Sequence, residues 1–143
     1  MTTAIINTDM NIGPFKIPGN GQNMIMNNYA ARNNLVVESI IPEPLMSNAL
    51  ATTQWLHKEK KLNKVILCSI HQLPQKQKRI EDLINAMDDV EFHFALESIS
   101  GKGSKFLLDC IKEAKMFKNA KTIDSTKTTW LELYKLKQEI GTR

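Results

Sequence analysis

The chain has 143 residues, 42% hydrophobic and 24% charged, which suits one globular domain with a buried core. Nineteen Lys and Arg against fifteen Asp and Glu give a net charge of +4. The basic residues fall in small groups, Lys58–Lys61, Lys76–Arg79 and Lys112–Lys121, interrupted by apolar or acidic residues. That pattern reads as solvated helix faces and argues against a nucleic-acid partner, which needs a concentrated basic face. No apolar run approaches the ~18 residues of a membrane span, and the amino terminus lacks a basic stretch followed by an apolar one. Cys68 and Cys110 form neither a CxxC pair nor a metal-ligand spacing and read as small buried hydrophobes in a reducing compartment. A cytoplasmic protein is expected, without a membrane partner.

Apolar runs alternate with helix-period segments along the chain. Thr3–Asn7 reads as a strand, followed by a Gly/Pro/Asn-rich loop, Thr8–Gly21, and a helix over Gln22–Asn33. Leu35–Ile41 is a second strand, closed by Pro42-Glu-Pro44, and Ser47 caps a helix to about Lys60 that buries Ala49, Leu50, Thr53 and Leu56. Lys64–Ser69 is the third strand. In Gln75–Asp88, Ile80, Leu83, Ile84 and Met87 share one helix face. Val90–Leu96 is the fourth strand. Ser104 then caps a helix with the stripe Phe106/Leu107, Cys110/Ile111, Ala114 and Phe117. Ala120–Ile123 suggests a fifth, edge strand, and Asp124 or Ser125 a last helix carrying Trp130, Leu133, Leu136 and Ile140.

Strands alternating with helices give right-handed βαβ crossovers and a parallel sheet. The expected fold is a single three-layer α/β domain over residues 1–143, with four or five parallel strands in the flavodoxin- or resolvase-like order 2-1-3-4(-5). In such sheets ligands sit at the carboxyl ends of the strands. That rim would carry four loops: Thr8–Gly21, Pro42–Met46, Ser69–Pro74 and Glu97–Gly103. Glu97 closes an apolar strand and suits proton transfer, with His71 and Gln72 placed to polarise a carbonyl or hydroxyl. Lys16, with the amides near Gln22 and Asn23, suits an anionic group, and Glu43 and Ser69 face the same rim. His93, between apolar neighbours, reads as a core histidine. Ser98-Ile-Ser-Gly-Lys-Gly-Ser104 fails the phosphate-loop pattern and reads as a flexible glycine turn with a serine cap. The three histidines lack metal-ligand spacing, so neither metal nor cofactor is expected.

Phe15-Lys-Ile-Pro-Gly-Asn-Gly-Gln-Asn23, Ser69-Ile-His-Gln-Leu-Pro74, Arg79 and His93-Phe-Ala-Leu-Glu97 together resemble a family of small bacterial proteins, the sporadic carbohydrate cluster proteins. The resemblance covers roughly residues 3–98 and is most specific at the S-x-x-Q-L-P loop and the H-F-A-x-E strand end. It implies a context among genes for surface-polysaccharide sugars. Lys16 stands where that family carries arginine, and Pro44 where it carries an aromatic residue. The order polar loop, Arg-bearing helix, strand, Glu also resembles the catalytic domain of serine recombinases. Asn7-Thr-Asp-Met-Asn-Ile12 lacks the Arg-x-Ser arrangement that strand exchange needs, which argues against recombinase activity.

The residues and the resemblance lead to one expectation: a cytosolic enzyme of isomerase, epimerase or lyase type, acting on a small anionic sugar-like metabolite in surface-carbohydrate biosynthesis. Glu97, Gln72 and His71 would be catalytic; Lys16, Gln22, Asn23, Glu43 and Ser69 would bind substrate. The alternative is a non-catalytic module that binds a ligand and regulates a glycan-pathway partner. The apolar surface around Trp130, Leu131 and Tyr134 predicts a homo-oligomer.

Overall fold

A computed structural model of the chain describes residues 2–8, 11–12, 14–43 and 50–127. In chain order the elements are β1 (Thr2–Asn7), β2 (Asn11–Ile12), β3 (Phe15–Lys16), α1 (Gly19–Arg32), β4 (Ser39–Glu43), α2 (Ala51–Lys60), β5 (Lys64–Leu67), a 3-10 turn (Ile70–Gln72), α3 (Gln77–Met87), β6 (Glu91–Phe94), β7 (Ile99–Lys102) and α4 (Ser104–Lys127). The main sheet runs β4-β1-β5-β6-β7. Counted along the chain, that is the expected order 2-1-3-4-5. Its first four strands are parallel and β7 is antiparallel to β6.

Central strands buried on both faces read as continuous apolar runs, because side chains alternate between the faces. Ile5 packs on one face with Val65, Leu67, Phe92 and Phe94, beneath residues of α3 and α4. Ala4, Ile66 and Ala95 occupy the opposite face with Met26, Tyr29 and Ala30 of α1. The expected stripe of α3 is in place, with Ile80, Leu83 and Met87 buried and Ile84 partly so. A fully buried side chain of this size contributes about 1.5–3 kcal/mol.

Besides shifts of a residue or two at element ends, three segments differ from expectation, the strands among them because pairing overrides local propensity. The second strand is Ser39–Glu43 and not Leu35–Ile41, because the β1 ladder starts at Thr3↔Ser39. Leu35 and Val37 instead pack against the α1 cluster. The loop Thr8–Gly21 contains the antiparallel hairpin β2–β3, and α1 starts at Gly19, three residues before the predicted Gln22. The fifth strand is Ile99–Lys102, inside the predicted glycine turn; Ala120–Ile123 lies within α4, which passes unbroken through Asp124 and Ser125. Gly101 is there for packing, since a Cβ at that position would collide with the Phe106 ring. Gly103 adopts φ +95°, a conformation that favours glycine, before α4 begins. Phe117, predicted in the buried stripe, is 49% exposed. Ser47, Ala49 and the Trp130–Ile140 helix lie outside the described residues.

Helix α1 is rich in Gly and Asn, poor helix formers, so its stability depends on docking. Its polar anchor is Tyr29, whose hydroxyl lies 2.7 Å from His93 Nδ1. His93 Nε2 faces the Glu91 carboxylate at 2.9 Å and so carries the ring proton; Nδ1 then accepts from the tyrosine. Tyr29→Phe should leave buried Nδ1 unpaired and cost about 1–3 kcal/mol in urea unfolding.

The same histidine bond holds the Glu91 carboxyl below its ordinary 4.5, and His57 holds Asp89 below 3.8. Carboxyls depressed in the folded state stabilise it above their ordinary values and lose that contribution as pH falls through the lowered ones. Thermal melts should therefore show stability declining as pH falls below the ordinary values of 4.5 and 3.8, and Asp89→Asn with Glu91→Gln should flatten that decline.

Candidate functional site

Where β5 and β6 end, the chain leaves the sheet with buried N–H groups that need acceptors. The Gln72 side-chain oxygen accepts from Cys68 N at 2.7 Å and Ser69 N at 3.1 Å. Ser69 Oγ accepts from His71 N at 3.2 Å and donates to Glu97 Oε2 at 2.8 Å. Glu97 Oε1 accepts from Ile70 N at 2.9 Å. The S-x-x-Q spacing is thus a capping box on the 3-10 turn. Ser98, at φ 54°, closes the short turn from Glu97 into β7.

Four of the predicted site residues, Ser69, His71, Gln72 and Glu97, are gathered here. Ser69, Gln72 and Glu97 spend the bonds above on the chain itself. His71 is different: its ring makes T-shaped contacts with Phe15 at 5.9 Å and Phe117 at 5.4 Å. Burial lowers its pKa from the ordinary 6.5, against the pull of Glu97 and Glu113, so the ring is neutral at pH 7. Lys16 is exposed on β3, next to Phe15.

The other candidates stand elsewhere. Gln22 is buried and its side-chain amide donates to Ile17 O at 2.8 Å, tying the hairpin to α1. Asn23 accepts from Asn27 Nδ2 at 3.2 Å along the exposed side of that helix. Glu43 is the last residue of β4, 4% exposed. Its carboxylate accepts from Thr53 N and from Thr53 Oγ1 at 2.7 Å, so it caps the first turn of α2. Burial pushes the Cys68 and Cys110 thiols up to about 11, so both stay protonated. Among the described residues no group of three or more His, Cys, Asp or Glu is placed to hold a metal ion. Sequence reasoning missed the two phenylalanines flanking His71. Phe15 was visible only inside a motif, and no local signal places Phe117, forty-six residues on, against the same ring.

No family model matches the chain, and no curated protein does. Among solved structures, the N-terminal catalytic domain of TP901-1 integrase is similar, with a TM-score of 0.55 at 15% identity. The match covers 85% of this chain and 99% of that one. The fold is therefore the α/β architecture shared with the catalytic domain of an integrase. This finding overturns the expectation of an enzyme acting on an anionic sugar-like metabolite, and of its alternative as a glycan-pathway module. It removes the basis for carbohydrate biosynthesis, for an isomerase or lyase, and for a small anionic metabolite as partner. It also overturns the argument against nucleic acid, which used the spacing of charges along the chain without knowing the fold. No helix of the described residues is long and apolar enough to cross a membrane.

Glu97→Ala should strip acceptors from the buried Ser69 hydroxyl and Ile70 N–H and destabilise the protein by about 2–3 kcal/mol. Glu97→Gln, which keeps one acceptor, should cost about half as much. Denaturant midpoints check both.

Proposed function

We propose that this chain is a recombinase-type domain that works at DNA in the cytoplasm by binding it, without cutting it. The observation that carries the reading is the likeness to an integrase catalytic domain along 99% of that domain's length. Integrases act on DNA, and a net charge of +4 favours a polyanion. Lys16, Lys102, Lys105 and Lys112 are exposed and free of the core, as phosphate contacts require. The two unpaired thiols, both buried, suit a reducing compartment.

Binding without cleavage is supported by the hydroxyls at the rim. Phosphoryl transfer needs an accessible nucleophile and cations around the reacting phosphate. Ser69 is fully buried and donates to Glu97, a carboxylate that repels a phosphodiester. Thr8 is exposed, and its hydroxyl donates to the Glu43 carbonyl at 3.3 Å. The segment Asn7–Ile12 has no Arg-x-Ser. The resemblance to sporadic carbohydrate cluster proteins over residues 3–98 stands as a proposal about descent and carries no sugar chemistry.

Mixed with supercoiled plasmid, the protein should retard it in a gel. With roughly four phosphate contacts, affinity should fall on the order of 100-fold between about 50 and about 200 mM salt. The plasmid should stay supercoiled. Absence of retardation at low salt, for the plasmid both native and heat-denatured, refutes the binding, and nicking refutes the non-cleaving role.

A further inference from the structure

Phe15, His71 and Phe117 come from the β2–β3 hairpin, the 3-10 turn and α4, and meet at the carboxyl edge of the sheet. Phe15 is 40% and Phe117 49% exposed, although each ring packs against His71. Neither nitrogen of the His71 ring has a hydrogen-bond partner among the described residues. The ring is held in place all the same, because the turn beneath it is fixed by Gln72 and Glu97.

We propose that these three rings form a stacking site for unpaired nucleobases, so that the strand engaged at this rim is single-stranded. The inference rests on the nucleic-acid reading above and adds the form of the ligand. Every base has a π-face, and phenyl rings bind such faces without regard to sequence. A neutral imidazole offers one donor and one acceptor, which is what the exposed edge of an unpaired base can use. The local charge points the same way. Glu97 and Glu113 are the charged groups felt at His71, which disfavours a phosphate over the ring and leaves an uncharged base as the suitable occupant. Lys16, the exposed residue after Phe15 in β3, supplies a cation for the backbone of such a strand.

The test uses the full chain and fluorescence anisotropy with three probes of about 15 nucleotides: a natural single strand, an abasic strand of equal length, and a duplex. The natural strand should bind at least about 10-fold tighter than the abasic one. Phe15→Leu and Phe117→Leu keep apolar volume while removing the π-face, and these half-exposed positions tolerate the change. Each should weaken binding of the natural strand about 5- to 100-fold and leave abasic binding unmoved. His71→Ala should weaken it as well. Equal binding of natural and abasic strands, preference for the duplex, or unchanged affinity in the leucine variants overturns the base-stacking site while leaving DNA binding intact. Failure of all three probes to bind overturns the nucleic-acid reading itself.

Discussion

The bond network joining Ser69, Gln72 and Glu97 is the constraint on which the carboxyl edge of this protein depends. Two parallel strands end side by side there, and the chain must leave the sheet with its amides buried. One amide oxygen and one carboxylate together take up three backbone N–H groups and a hydroxyl. Without that network the amides of Cys68, Ser69 and Ile70 would lose their side-chain acceptors. With it, His71 is held between two phenyl rings supplied by distant parts of the chain.

The same economy appears on the other face of the sheet. Among the described residues a single helix covers it, built from residues that favour helix poorly, and a hydroxyl–imidazole–carboxylate chain running from buried Tyr29 and His93 to half-exposed Glu91 fastens it. Around α2, Glu43 caps the first turn and His57 closes the last, accepting from Leu62 N at 2.9 Å while bonded to Asp89. Most of the polar residues that look chemically active are therefore spent on satisfying backbone and helix ends. A carboxylate accepting two or three such bonds contributes to folding and is withdrawn from reaction.

Sharing an architecture with an integrase catalytic domain does not carry the reaction along with it, because chemistry resides in sites grafted onto folds. Among the described residues the rim presents aromatic rings and a neutral imidazole, and its Ser69 hydroxyl is buried against the Glu97 carboxylate. The function proposed above, recognition of a nucleic acid through its bases without cutting it, is a statement about that surface and not about the shared architecture.

The order of the sheet was legible in the amino-acid sequence. Apolar runs alternated with helix-period stripes, and right-handed crossovers leave few ways to arrange them. The face of α3 carrying Ile80, Leu83 and Met87 was legible for the same reason, since burial imposes a period that the residues must keep. Strand limits were less so: Leu35–Glu38 has the local properties of a strand but stays outside the ladder, with Glu38 N–H donating to Thr2 O at its edge, and Ile99–Lys102 hides behind glycine until its pairing with β6 appears. The site was legible only as a list of polar residues near one rim. S-x-x-Q reads equally as a ligand loop or a capping box, and only the position of the backbone amides distinguishes them. Tertiary structure alone decided that Glu97 meets Ser69, that Glu43 caps α2 and that Phe117 reaches His71. Those pairings join residues ten to forty-six positions apart, and hydrogen bonding and ring packing follow distance in space, which no local pattern along the chain encodes.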